Sequence, residues 1–461
     1  MIFRKLILIS VLAFGSSNLL FSQIKVSQYD LDFQFDFENE RLSCVANLSI
    51  NGRGDTLNLL LYRLLKVTCI TDASGRKVDF TQNVVSFEDF EKLQVNHIKI
   101  PVREFAQTKS TLTINYEGTI VGYTETGMNY VKDHISSEFT MIRMDAFAYP
   151  VQGNPSIQEL RRLGMQLFDY NIAATVPDSL KVVTIGKLLE TEQKTGVVKY
   201  KYQSIVPSWR IDLAIGKYRT LSFDNFRIHY FREDSVGAQR VLSAIRQTKL
   251  LYDNWFGKKE LTDFTVIEVL EGYGSQTDAC GIILTSTAFK NPEYTEELYH
   301  EISHLWNVPH KDRAPCRLES EGLAMFMQFL VKGKIENNNY LEKMAQITLE
   351  KVKKQIENNS DFASTPIIEY GEKNMTDYSY SKGMLFFYIL YHTVGEKAFF
   401  DAIKGYYDEF KDTGSTTKEF AEYLKRTFKN YSVDKLINDW IYTNQSSTLL
   451  LNSKVKEDLW K

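Results

Sequence analysis

Residues 297–307 read ELYHEISHLWN, two histidines four positions apart with a glutamate directly after the first. Four residues make about one turn of an α-helix, so His300 and His304 share a face and their imidazoles can share one ion. Glu301 is rotated by about 100° from His300, which sets its carboxylate at the edge of such an ion. An acid at that edge is placed to take a proton from a water held there. This is the H-E-x-x-H arrangement, and zinc is its usual occupant. The helix also has a start signal: Asn291 offers a capping side chain, and Pro292 stands at the first helical position, where its missing N–H costs nothing. With only seven histidines in the chain, a chance match is rare.

Two imidazoles do not complete a catalytic zinc site, which needs three protein ligands and a water. The following helical stretch, RLESEGLAMFMQF (317–329), offers Glu319 and Glu321 where it begins. Either acid could be a solvated first-turn residue favoured by the helix dipole, and Glu319 is read that way. Glu321 is followed by Gly322 and Ala324, small residues that let its helix pack closely against the histidine helix. That is consistent with a ligand without identifying one.

Working outward, 461 residues exceed what one hydrophobic core usually serves, so two domains are expected. Residues 24–221 alternate apolar and polar positions in segments such as YDLDFQFDF, LSCVANLSI and STLTINYEG, with turn signals NGRGD and DASGR between them. This predicts an antiparallel β-domain. From about Arg219–Asp224 the period changes. In 222–461, two strands (DFTVIEVL and CGIILTST) precede helical segments at 293–308, 319–333, 337–358, 376–394, 396–411, 416–430 and 433–443. The whole is an α+β chain.

The first 23 residues, MIFRKLILISVLAFGSSNLLFSQ, place Arg4 and Lys5 before a short apolar run that GSSN interrupts. That layout is a secretory signal rather than a membrane span, and it predicts a periplasmic or extracellular mature protein without a transmembrane segment. The net charge of −3 gives nucleic acid no electrostatic hold. Four cysteines, Cys44, Cys69, Cys280 and Cys316, show no C-x-x-C spacing. Export would permit Cys44–Cys69 and Cys280–Cys316 bridges, but structural or free thiols are the favoured reading.

HEISHLWN followed by LESEGLA resembles the aminopeptidase N family of gluzincin zinc peptidases, in which the H-E-x-x-H helix precedes an N-E-G-F-A segment carrying the third ligand. The resemblance implies a thermolysin-like, mostly helical peptidase domain behind the β-domain. It further implies one Zn2+ per chain held by His300, His304 and Glu321, with Glu301 as general base. DYSYSKGMLFFYIL (377–390) is similar to the family's P-Y-x-K-G segment, which gives Tyr380, with Tyr378 as local competitor, the hydrogen bond to the tetrahedral intermediate. SQTDACGII stands where the family has G-x-M-E-N, so Asp278 takes the place of the glutamate that holds a substrate's amino terminus. The loop between His304 and Glu321 is shorter than the family's. The chain also ends before a large C-terminal helical domain, which implies a more open cleft. Fainter likenesses lie at DAFAYPVQGNPS and VPSWRIDLAIGKY. The expected function is that of an exported zinc metallopeptidase, aminopeptidase-like, acting on peptides or proteins. Two alternatives stand beside it: HLWNV also resembles glycyl aminopeptidases that carry a PDZ domain, and an inactive scaffold would be a binding module.

Overall fold

A computed structural model describes residues 24–460 apart from 53, 103–108, 164, 165 and 262. The proposed signal at 1–23 lies outside the described residues. The amino-terminal part is three sheets of seven, four and three strands. Alternating segments form them as the pattern predicts: Arg41–Asn51 runs exposed–buried along most of its length, and its inward residues Leu42, Cys44, Ala46, Leu48 and Ile50 enter one core. One pairing departs from the expected antiparallel arrangement. Lys25–Asp36 runs parallel to Asp169–Pro177 in the middle of the seven-stranded sheet. Alternation reports which face is buried and is blind to strand direction.

The second part opens with a five-stranded sheet built on the parallel neighbours Phe226–Phe231, Phe264–Val269 and Gly281–Thr285. The hairpin Tyr218–Phe223 with Phe226–Phe231 supplies one side, so a strand of this sheet straddles the division expected at 221/222. The other side ends on the short strand Gln276–Asp278, antiparallel to Gly281–Thr285. Three residues are too few for a periodic signal, and this edge strand was not expected. Helices follow almost as the periodicity sets them: Glu296–Ser303, Leu323–Glu336, Tyr340–Asn358, Tyr378–Val394, Glu396–Phe410, Thr417–Phe428 and Tyr431–Ile437. No described helix is long and apolar enough to cross a membrane.

A third apolar cluster joins the two parts, with Phe139, Met141 and Ala214 against Ile267, Val269 and Ile283. Buried polar groups cross the same junction. Arg143, fully enclosed with Asp133, donates from Nε and Nη2 to that carboxylate at 2.9 and 2.8 Å, and from Nη1 to the carbonyl of Tyr273 at 2.8 Å. Ser208 donates to Asp278 at 2.6 Å. The loop and edge strand 270–278 are therefore held by the β-domain.

All four cysteines are free thiols. Cys44 and Cys69 lie on strands either side of Lys109–Gly118, facing Tyr116 and Asn115. Two strand spacings make about 9–10 Å, beyond disulfide reach.

The small-residue contact beside Glu321 differs from expectation. Gly322 meets Gly383 of the tyrosine-bearing helix Tyr378–Val394, not the histidine helix. A Cβ on Gly383 would lie 2.8 Å from the Cα of Gly322, and one on Gly322 would lie 2.9 Å from the Cα of Gly383. The histidine helix is instead tied to Leu323–Glu336 by Gln328 and Lys332, which donate to the two oxygens of Glu296 at 3.1 and 3.0 Å. Gly383→Ala should therefore cost about 1–3 kcal/mol and displace the turn carrying Glu321. Thermal unfolding and metal analysis should both show a loss, and a variant unchanged in both would mean that the helices separate freely.

Candidate metal centre

The histidine helix forms as its sequence dictates. Asn291 accepts from the N–H of Glu293 at 3.0 Å, and Pro292 opens a single tight turn that runs into Glu296–Ser303. His300 is in its last turn and His304 begins the short 3-10 turn that follows. Their rings lie 4.8 Å apart at 83°.

Glu321 arrives on a π-helical turn, Leu318–Gly322, entered through Arg317 at φ 65°. Residues 319 and 321 point to opposite sides of such a turn, and the structure separates them accordingly. Glu321 faces the imidazoles. Glu319, expected to be solvated, is buried beside Cys316, and burial raises its carboxyl with His310 acting against the rise. Tyr380 lies across the site, its ring parallel to that of His300 within 6° at 6.0 Å. The competitor Tyr378 is committed elsewhere: its hydroxyl accepts from Asn359 at 2.9 Å, and its ring stacks on Phe362 at 4.0 Å. Lys382 is buried over Phe362 and Tyr370, 5.3 and 5.8 Å from the ring centres, and so packs its helix rather than reaching the site.

One oxygen of Glu321 lies 3.2 Å from Nε2 of His300 and 3.6 Å from Nε2 of His304, and one ligand atom from each residue falls within 4.8 Å of the others. Tetrahedral ligands at the usual zinc distances would stand about 3.3 Å apart. The two separations from Glu321 are close to that value, and the donor set is compatible with one zinc ion. Nδ1 of His304 lies 2.9 Å from the side-chain amide of Asn307. The atom facing the ring is Nδ2 of Asn307. An imidazole that gives Nε2 to a cation keeps its proton on Nδ1, and the Asn307 amide would then have to reverse so that its oxygen accepts that proton.

Electrostatics divides the two carboxylates. Burial by itself would raise Glu321, but Arg317, paired to its other oxygen, and the two imidazoles outweigh it and hold the group well below its ordinary range. Glu301 is pushed up by burial, to about 7, against the lowering pull of His304 and a hydrogen bond from Thr277. Burial and Glu321 raise Tyr380, which keeps it a neutral donor near pH 7.

Thr277, on the edge strand, has no counterpart among the expected site residues. Its hydroxyl lies 2.6 Å from Oε2 of Glu301 and 2.8 Å from the Glu301 carbonyl oxygen. The single proton goes to the carboxylate when Glu301 is ionised. When Glu301 is protonated, the hydroxyl turns to the carbonyl and accepts from the acid. Asp278, the next residue, points the other way, as alternation requires. It accepts from Ser208 and from the N–H of Ala279 at 2.8 Å, and burial raises it to about 6. The structure thus does not bring Asp278 to the metal centre. Beside the edge strand, Asp145 remains partly open, 17% exposed, bonded to Gln276 at 3.3 Å and Arg210 at 2.8 Å.

Two imidazoles, a carboxylate, a second carboxylate poised near neutrality and a phenol facing them define the class: a mononuclear zinc hydrolase site. The comparisons make it specific. Residues 282–440 match the Peptidase family M1 domain. No curated protein matches the sequence at a significant level. In overall fold the chain is similar to the M1 zinc metallopeptidase from Deinococcus radiodurans, here a mutant bound to a Tyr-Ser-Ala substrate. The TM-score is 0.65 at 17% identity, covering 91% of this chain and 94% of that one. It is likewise similar to native yeast LTA4 hydrolase, with a TM-score of 0.66 at 16% identity over 91% of this chain and 68% of that one. These likenesses show the two-part fold of a β-rich domain followed by a mostly helical one.

Losing a hydrogen bond to a charged group is worth about 1.5–3 kcal/mol, so Thr277→Val should lower peptide turnover about tenfold or more with zinc content intact. Thr277→Ser should restore most of it. Equal rates in all three proteins, read by steady-state kinetics, would show that Thr277 does not hold the base.

Proposed function

We propose that the protein is an aminopeptidase-type enzyme that hydrolyses peptide bonds with Glu301 as general base and acts outside the cytoplasm. The observation that carries this reading is the pairing of Glu301, held by Thr277, with an edge strand open on one side. Among the described residues Gln276–Asp278 pairs only with Gly281–Thr285, so a peptide can lie along it as an added strand. The scissile carbonyl then falls next to Glu301 and the donor set.

When bound, the ion supplies a Lewis acid that polarises that carbonyl and acidifies water. Glu301, raised by burial to about 7, takes the proton of the attacking water and delivers it to the leaving amine. Thr277 leaves one oxygen of Glu301 free for this transfer. Tyr380 donates its hydroxyl to the oxyanion, a contact typically worth ~2.7–4 kcal/mol. At the amino-terminal end, Arg143 and Arg210 face Asp133, Asp145 and Asp212. Asp145 is the carboxylate of this group that stays partly open, 17% exposed, and its charge favours a free ammonium group there. Export rests on the basic start and interrupted apolar run of residues 1–23.

Glu301→Gln should keep its zinc and lose nearly all turnover, read by metal analysis beside cleavage of a peptide library. Full hydrolysis by the variant would remove Glu301 from the role of base. Zinc bound by the parent protein with no library member cut would return the chain to a binding module. Peptides with a free amino terminus should be trimmed at least tenfold faster than their acetylated forms, as read by mass spectrometry. Internal cuts in blocked peptides would instead make the enzyme an endopeptidase.

A further inference from the structure

Arg317 has features that its pairing with Glu321 does not use. It is a non-glycine residue at φ 65°, ψ 18°, a left-handed conformation in which a Cβ costs about 1 kcal/mol. Its carbonyl receives the N–H of Glu321 at 2.9 Å, which fixes its backbone at the entrance to the π-turn. The guanidinium spends one of its five N–H donors on Glu321. It lies over the Tyr380 ring at 5.6 Å, within cation–π range. Its remaining N–H groups make no hydrogen bond among the described residues. The side chain is 35% exposed, against 12% for His300, 15% for His304 and 8% for Glu321. Among Arg317, Glu301, Glu321 and the two histidines, Arg317 is the most exposed.

Charge bookkeeping agrees with an anionic guest. A dication with Glu321, Glu301 and Arg317 sums to one positive charge. Asp377, whose field also reaches Arg317, stands on the exposed rim. Beside the edge strand whose Thr277 holds Glu301 stands Asp145, 17% exposed and bonded to Gln276 and Arg210. A substrate with an ammonium group at one end and a carboxylate at the other matches that polarity.

We propose that Arg317 anchors an anion subsite for the leaving-group side of the substrate, receiving a carboxylate carried by the residue after the scissile bond. This rests on the peptidase reading of the same site. The carboxylate is either the main-chain terminus of a short peptide or an acidic side chain. Tyr380, against which the guanidinium lies, would then have its face set by the same arginine.

The test uses zinc-loaded protein carrying Glu301→Gln, so that peptides survive a calorimetric titration. Ala-Ala is compared with its C-terminal amide, and Ala-Glu-amide with Ala-Gln-amide. In at least one pair the anionic peptide should bind about tenfold more tightly, as for a hydrogen bond between charged groups. Arg317→Gln should bring that ratio to about one, and Arg317→Lys should retain part of it, each value taken per bound zinc. The first pair reports a terminal carboxylate and the second a side chain. A ratio of one in both pairs before Arg317 is changed overturns the assignment, as does a preference that survives Arg317→Gln. Should Arg317→Gln lose its metal, Arg317→Lys decides, because an arginine acting only as packing would leave a lysine variant with no anion preference. Hydrolysis by the unmodified enzyme is scored separately. Cleavage without anion preference removes the Arg317 subsite and keeps the peptidase, and the converse result does the reverse.

Discussion

A buried carboxylate with two masters organises this molecule. Glu321 is 6% exposed, and an ionised acid so enclosed is strongly unfavourable unless cationic or hydrogen-bonding partners replace the lost water. One of its oxygens answers to Arg317 and the other to the two imidazoles. This splitting requires the carboxylate to stand between elements that come from different parts of the chain. The π-turn places it there, and the Gly322–Gly383 contact lets the turn sit directly on the helix bearing Tyr380. Ligand, arginine and phenol are thus positioned by one close approach of two backbones. A side chain at either glycine would separate them together.

The second constraint comes from the β-domain. Its sheets bury their own core, and the apolar cluster around Phe139 and Ile283 fixes their position against the zinc domain. The polar groups crossing that seam all end on residues 270–278: Arg143 on the Tyr273 carbonyl, Asp145 on Gln276, and Ser208 on Asp278. These are the residues that lead into and form the edge strand. Because Thr277 belongs to that strand, the height of the strand above the histidine helix also sets where Glu301 stands. A domain with no ligand of its own thereby helps to place the base.

Much of this was legible in the sequence, and the omissions have physical reasons. His300, Glu301 and His304 are a local pattern on one helix, and helical spacing converts it directly into geometry. The long helices were readable because apolar periodicity over many residues averages out local exceptions. Glu321 needed the resemblance, because a π-turn leaves no periodic trace and either nearby acid could start a helix. Asp278 shows the limit of assigning a residue by position alone. In a strand, a displacement of one residue reverses the face, so Thr277 holds Glu301 while Asp278 serves the domain seam. Arg317 was invisible as a site residue because its role depends on a backbone conformation and on Tyr380, sixty-three positions away in the chain.

The two site glutamates illustrate how environment divides labour among identical side chains. Both are enclosed, and for both burial is the largest single influence and acts upward. Glu321 gains an adjacent guanidinium and two imidazoles, so it remains charged and suits a cation. Glu301 gains one imidazole and a hydroxyl, too little to cancel its enclosure, and settles near neutrality. The hydroxyl matters here for a reason that a second cation could not satisfy. A cation would lock Glu301 in its charged form, whereas Thr277 can donate to the carboxylate or accept from the acid with little movement. A group that must hold a proton for part of each cycle needs such an indifferent partner. A permanent ligand needs the opposite, and within one site the fold supplies both.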